Sequence, residues 1–196
     1  RLVGSEMCIR DRFIPQQGSV GASGDLAPLA HLTAVMIGEG YAFINGEKFT
    51  GSEALKIEGI QPIELGPKEG LALINGTQFS TACAFNALVT GWRLLLNSVI
   101  ISSISTDAIM GSTSPLLAKI HELRGQKGQI FVAKKMRELI SGSIIRESHR
   151  SDDERVQDPY CIRCQPQVLG ACLDILKMSA STIEIAVSYT HLRAHE

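Results

Sequence analysis

The stretch Gly18-Ser-Val-Gly-Ala-Ser-Gly-Asp-Leu-Ala-Pro-Leu-Ala-His31 decides how the rest of the chain is read. Glycines at 18, 21 and 24 permit tight bends and close approach of other atoms, because no Cβ restricts φ or shields the backbone. An apolar helical pattern begins directly after them. At its centre, Ala22-Ser23-Gly24 can close on itself. The Gly24 amide nitrogen attacks the Ala22 carbonyl carbon, and loss of two waters, one taken from the Ser23 side chain, leaves a 4-methylidene-imidazol-5-one. Ala22 offers an uncrowded carbonyl, Ser23 the hydroxyl that is eliminated, and Gly24 an unhindered nitrogen. Other readings fit the same residues. Ser23 or Asp25 could be the N-cap of a helix starting near Leu26, with Pro28 tolerated in its first turn, or the glycine loop could cradle an anion at that helix N-terminus. No Gly-Lys-Ser/Thr follows, so it is not a Walker loop.

The 196 residues are 44% hydrophobic and 5% aromatic, with a formal net charge of -1. That length supports a sizeable core. The charge gives no reason to expect nucleic acid or an acidic membrane as partner, and the abundance of Ala, Leu, Ile and Ser suits closely packed helices. The most apolar segment is interrupted by Arg93 and Asn97, so no run reaches the roughly 18 to 20 residues needed to cross a bilayer. Five irregularly spaced cysteines fit a reducing cytoplasm better than a disulfide framework. Residues 1–12 and 187–196 resemble translated adaptor sequence at the ends of assembled fragments, and are read as foreign tails around a partial domain, 13–186.

Periodicity predicts a mainly α fold. Apolar positions Leu29, Leu32, Val35 and Met36 place a helix over 26–39 that Gly38 and Gly40 stop. Asn45-Gly46 between β-prone runs predicts a hairpin over 41–49. Ser52 is expected to cap a short helix over 53–58, and one helical turn is expected over 68–73. From Gln78 to Ala108 runs a long apolar helix suited to the inside of a bundle. Gly111 and Pro115 break it; short helices over 116–123 and 129–140 follow. Residues 141–158 read as an exposed loop. Pro166 begins a helix to about Ile185, whose buried side is expected to hold Val168, Leu169, Cys172, Leu173, Leu176 and Met178.

Three segments occur in fixed order: the opening stretch, Lys68-Glu-Gly-Leu-Ala-Leu-Ile-Asn-Gly-Thr-Gln78, and Arg155-Val-Gln-Asp-Pro-Tyr-Cys-Ile-Arg-Cys-Gln-Pro-Gln-Val168. Together they resemble the aromatic amino acid ammonia-lyase family, and the resemblance covers essentially all of 13–186. It implies the long-helix bundle core of the ammonia-lyase/fumarase-like type. It also implies that Ala22-Ser23-Gly24 forms the methylidene-imidazolone autocatalytically, with no external cofactor and no metal. Carried over by motif, Asn75 would hydrogen-bond that group or the substrate amine, Gln157 would contact the ring, Tyr160 would assist proton transfer or electrophile activation, and Arg163 would bind the substrate carboxylate. Arg suits that role because its planar fork makes two parallel charge-assisted bonds.

Within the family, Val156-Gln-Asp-Pro-Tyr160 followed by Arg163-Cys-Gln-Pro-Gln167 is similar to the branch acting on L-histidine to give trans-urocanate. Phenylalanine or tyrosine ammonia-lyases and aminomutases are the alternative, and a non-catalytic helical assembly module is another. The resemblance implies a cytoplasmic homotetramer with shared active sites, of which this chain holds part; a piece exposing its long apolar helix would have an unmatched face. Cys161 and Cys164 form a lone Cys-x-x-Cys without the further ligands zinc needs. His31 reads as a packing residue with a possible supporting role at the loop, His121 and His149 lack partners at ligand spacing, and Trp92 reads as a core or interface anchor.

Overall fold

A computed structural model describes residues 11–192 except Gln16, Ala22 and Asp152, and is mainly α-helical. Residues 1–10 and 193–196 of the two expected foreign tails lie outside the described residues. The chain gathers into two compact units, one ending at Cys83 and one starting at Ala84. The helix α4 (Gln78–Ala108) therefore contributes to both.

In the first unit, β2 (Tyr41–Ile44) and β3 (Glu47–Thr50) pair antiparallel, with Tyr41 opposite Thr50 and Ile44 opposite Glu47. Their connection is Asn45-Gly46, at φ 52° and 86°. Two left-handed residues are what a type I′ turn requires, so the hairpin forms where its dipeptide placed it. β1 (Asp11–Arg12) adds to the other side of β2. The sequence reading missed this strand because it lies in the stretch taken as foreign.

Helix α1 (Leu26–Met36) stops earlier than expected, and Gly38 and Gly40, at φ 88° and 67°, turn the chain into β2. Helix α2 (Gly51–Ile57) is capped by Thr50 and not by Ser52. The Glu53 amide donates to Thr50 Oγ1 while the Thr50 amide donates to Glu53 Oε2, a capping box. Gly51 permits this abrupt start, since a Cβ there would lie 2.0 Å from the Glu39 carbonyl oxygen. Val35, Ala42, Ala54 and Leu55 form the core, flanked by Ile44, Phe49 and Ile60. The short α3 (Glu69–Ile74) then leads to α4.

The second unit comprises the rest of α4, a 3-10 turn (Ser114–Leu116), α5 (Ala118–Arg124), α6 (Lys127–Ile140), α7 (Ile144–Ser148), α8 (Tyr160–Arg163) and α9 (Gln165–Leu192). Leu95, Val99, Leu116, Val132, Met136, Ile140 and Leu173 are its core. Helices α6 and α9 touch backbone to backbone, because a Cβ on Gly128 would lie 2.1 Å from the Gly170 carbonyl oxygen. At that contact Asp174 accepts the Gly128 amide at 3.0 Å. It caps α6, whose own N-cap residue, Gln126, makes no side-chain cap bond.

Several expectations change here. The packed side of α9 is Leu169, Leu173 and Leu176, whereas Val168 and Met178 are 55% and 66% exposed and Cys172 is exposed too. Residues 141–158 contain α7 and a buried Asp158, so they are not simply a solvated loop. Helix α4 begins and ends where the pattern placed it, yet Leu94, Leu96, Ile100, Ile101 and Ile104 are exposed. The stretch Glu69–Ala108 has the length and mean hydropathy, 1.5, of a membrane span, which counting uninterrupted runs had overlooked. Central helices of bundles share that composition.

Candidate functional site

The candidate residues of the first unit meet where the opening loop lies against the α3–α4 connection. Gly24, at φ 106°, is pressed so closely that a Cβ would lie 3.0 Å from the Gly76 carbonyl oxygen and 3.1 Å from Asn75 Oδ1. The Asp25 amide donates to the Gly76 carbonyl at 2.7 Å. Ser23 is exposed, and Ala22 lies outside the described residues. Gly24 and Asn75 are thus brought together, with the Ser23 hydroxyl group's residue at the surface of the loop.

Asp25 is the residue sequence reasoning undervalued. It occupies the N-cap position of α1 but gives α1 no side-chain cap bond, which overturns the simple capping reading for this residue. Its buried carboxylate instead accepts the Ser80 amide at 2.8 Å, the Ser80 hydroxyl at 2.6 Å and the Ser19 hydroxyl at 3.1 Å. Ser80 stands in the first turn of α4, where the helix dipole also favours an anion. The Ser80 hydroxyl and amide hold the Asp25 pKa below its usual value, outweighing burial, which alone would raise it. The loop is therefore clamped on both sides of residue 25. No local pattern could reveal this, since Asp25 and Ser80 are 55 residues apart.

In the second unit, α8 presents Tyr160 and Arg163 three residues apart, hence on one face. They line a groove of about 440 Å³ with Gln157 and Gln167, facing an apolar wall of Pro115, Leu117 and Ile120. The Arg163 guanidinium stacks over the Tyr160 ring, 5.4 Å from its centroid, and its Nε donates to the Asp158 carbonyl at 2.9 Å. That leaves its two terminal nitrogens without a protein partner among the described residues. A fork held by its stem with its tips free is suited to a carboxylate.

The segment before α8 is anchored by charge. Asp158 accepts the Ser112 amide at 2.6 Å and lies 3.7 Å from Arg155. Arg155 pairs with Asp153 at 2.8 Å and donates to the Ile109 and Met110 carbonyls at the end of α4. Hydrogen bonds from Arg155 hold the Asp153 carboxyl far below the usual carboxylate range, and Asp153 in turn raises the Arg155 pKa.

The wall opposite depends on His121. Buried, it takes a hydrogen bond on Nδ1 from Gln129 and contacts the Pro115 carbonyl through Nε2, both at 2.9 Å. This pattern suits the neutral ring, and burial lowers its pKa. Gln167 is a further residue that the sequence did not single out. Its Oε1 is buried with no partner among the described residues, in the wall of the groove. Cys164 also lines that wall, Cys161 is exposed, and His31 is exposed. Among the described residues no group of three His, Cys, Asp or Glu has metal-holding geometry.

Comparison with known proteins places the chain in a family. The model of the aromatic amino acid lyase family matches residues 12–191. A histidine ammonia-lyase from Roseobacter denitrificans is 62% identical over 172 residues, covering 88% of this chain. The chain spans only 34% of that relative's length. Among solved structures, a phenylalanine aminomutase from Pantoea agglomerans is similar at 33% identity with a TM-score of 0.76, over 88% of this chain and 36% of its own. A histidine ammonia-lyase from Trypanosoma cruzi is 36% identical with a TM-score of 0.69, over 85% of this chain and 30% of its own. A match along nearly the whole chain, embracing the clamped loop, the Asn75 connection and the Arg163 groove, settles the family: this chain belongs to the aromatic amino acid lyases.

Proposed function

We propose that the complete protein is a cytoplasmic histidine ammonia-lyase, a homotetramer with shared active sites that converts L-histidine to trans-urocanate and ammonia in the first step of histidine degradation. The observation that carries the choice of substrate is the 62% identity to the Roseobacter enzyme, against 33% to the phenylalanine aminomutase.

The loop residues fit an internally formed prosthetic group. Gly24 stands where no side chain can be accommodated, beside the Asn75 amide oxygen, in a loop fixed by Asp25. The 4-methylidene-imidazol-5-one formed from Ala22, Ser23 and Gly24 would supply an electrophilic methylene that makes the substrate amine a better leaving group. Asn75 is suited to hydrogen-bond that group or the amine. Arg163 takes the substrate carboxylate with its two free terminal nitrogens, which leaves the amino acid oriented by two parallel bonds. Tyr160 stacks under that guanidinium, and its phenol is the proton-transfer group of the groove. In the assembled enzyme Gln157 would contact the prosthetic ring, and Gln167 Oε1 would accept an N–H from the bound amino acid, relieving its unpaired state. The β-proton is weakly acidic, so its removal relies on a fixed substrate pose and offset charge.

A second reading is an aminomutase, resting on the 33% identity to the Pantoea enzyme over 88% of this chain. Product analysis separates the two. Complete protein given L-histidine should accumulate urocanate, followed by its ultraviolet absorbance. Turnover of L-phenylalanine or L-tyrosine with none of L-histidine overturns the assignment.

A further inference from the structure

A second cavity, of about 170 Å³, adjoins the groove and shares Ser114 and Gln157 with it. His149, Arg146 and Arg150 stand in its wall. The His149 side chain is only 11% exposed; its Nδ1 lies 3.5 Å from Asp153, while its Nε2 is buried with no partner among the described residues. A buried polar atom left unpaired costs about 1–3 kcal/mol, so this nitrogen points to a missing ligand.

The acidic groups of the wall are already engaged. Asp153 is paired with Arg155, and Asp158 takes the Ser112 amide and faces Arg155. Two other arginines keep donors in reserve. Among the described residues, the Arg146 side chain uses only Nε, toward Thr113 at 2.9 Å, and the Arg150 side chain only Nη1, toward Glu147 at 3.2 Å. The cavity thus offers guanidinium donors and a ring nitrogen to a ligand, and the two carboxylates in its wall among the described residues, Asp153 and Asp158, are both engaged.

We propose that this cavity binds a phosphate group. Its charge and several oxygens match Arg146 and Arg150. Near neutral pH it carries both P–O⁻ and P–OH, so it satisfies His149 Nε2 whether that atom bears a proton or a lone pair. The volume admits one such group, supplied free or as the end of a monoester. This inference does not depend on the lyase activity: phosphate binding without turnover leaves it standing.

The test is calorimetric titration of the complete protein with inorganic phosphate and, separately, methyl phosphate, at ionic strength fixed with sodium chloride. One site per chain is expected, weakened about tenfold or more by Arg146→Gln and by Arg150→Gln, the loss of one charge-assisted bond. Arg150 is exposed, so its variant tests the site even if His149→Leu or Arg146→Gln fails to fold. Arg163→Lys should leave the affinity unchanged. Equal or tighter binding of methyl phosphate supports a monoester ligand; its exclusion supports free phosphate. No binding, binding indifferent to Arg150→Gln, or binding lost only in Arg163→Lys overturns the proposal.

Discussion

Replacing Asp25 by Ala should loosen the loop that carries Ser23, and the size of the effect follows from its contacts. The carboxylate accepts bonds at 2.6, 2.8 and 3.1 Å, two of them from Ser80 in the first turn of α4. A hydrogen bond to a charged group contributes about 1.5–3 kcal/mol, and a helix N-cap bond about 1 kcal/mol. The three donors are not independent, and the two hydroxyls can turn to water once freed. The expected loss for Asp25→Ala is therefore about 2–4 kcal/mol. Asp25→Asn keeps the shape but loses the charge at the helix end, and should cost about 1–2 kcal/mol. Denaturant unfolding of the complete protein followed by circular dichroism reads both. Combining Asp25→Ala with Ser80→Ala should show a coupling of about 1 kcal/mol or more. An unchanged midpoint for Asp25→Ala, or additive single effects, refutes the clamp. The sign with pH is fixed as well. The folded pKa lies below the ordinary 3.8, so the contribution is present above 3.8 and is lost as pH falls through the folded value.

Other expectations test the remaining parts. Ser23→Ala should abolish lyase activity while leaving the circular dichroism spectrum unchanged; undiminished urocanate production refutes the role of Ser23. Arg163→Lys loses the bidentate fork and should raise KM by about tenfold or more with the ring still formed; a normal KM removes Arg163 from the carboxylate role. Met136 is fully buried in the core of the second unit, and Met136→Ala should cost about 2–5 kcal/mol of unfolding free energy. A loss below about 1 kcal/mol would show that this cluster is not a packed core.

The elements most legible in the sequence are those set by local chemistry. Asn45-Gly46 announced its hairpin because its two residues adopt the left-handed conformation that turn needs, and the extent of α4 followed from its long apolar pattern and the Gly111 and Pro115 that break it. Capping was harder. Ser52 and Thr50 are both capable caps, and the choice fell to Thr50 because Glu53 stands three residues after it and Gly51 lets the backbone of residue 39 approach. The unforeseen features are long-range. Asp25 and Asp174 cap helices other than their own, through Ser80 and Gly128, and neither pairing leaves a trace in local periodicity.

The candidate site divides in the same way. The roles of Asn75, Gln157, Tyr160 and Arg163 come from family motifs; the fold brings Gln157, Tyr160 and Arg163 to one groove and sets Asn75 beside Gly24. Gln167 and His149 were passed over, one as part of a helix start and the other as a histidine without partners in the sequence. Their unpaired buried atoms appear only once the chain is folded. The exposed residues on α9 were misplaced for a related reason. A long helix with apolar residues on several sides does not declare which side its own chain covers, and here Leu169, Leu173 and Leu176 are chosen by contact with the core.

The most direct test of the central claim is the mass of the Ala22-Ser23-Gly24 segment in the complete protein. Intact-mass measurement followed by peptide fragmentation should locate a loss of two waters to those three residues in the native protein and none in Ser23→Ala. An unmodified tripeptide in folded protein would contradict the assignment of the loop as the source of the electrophile.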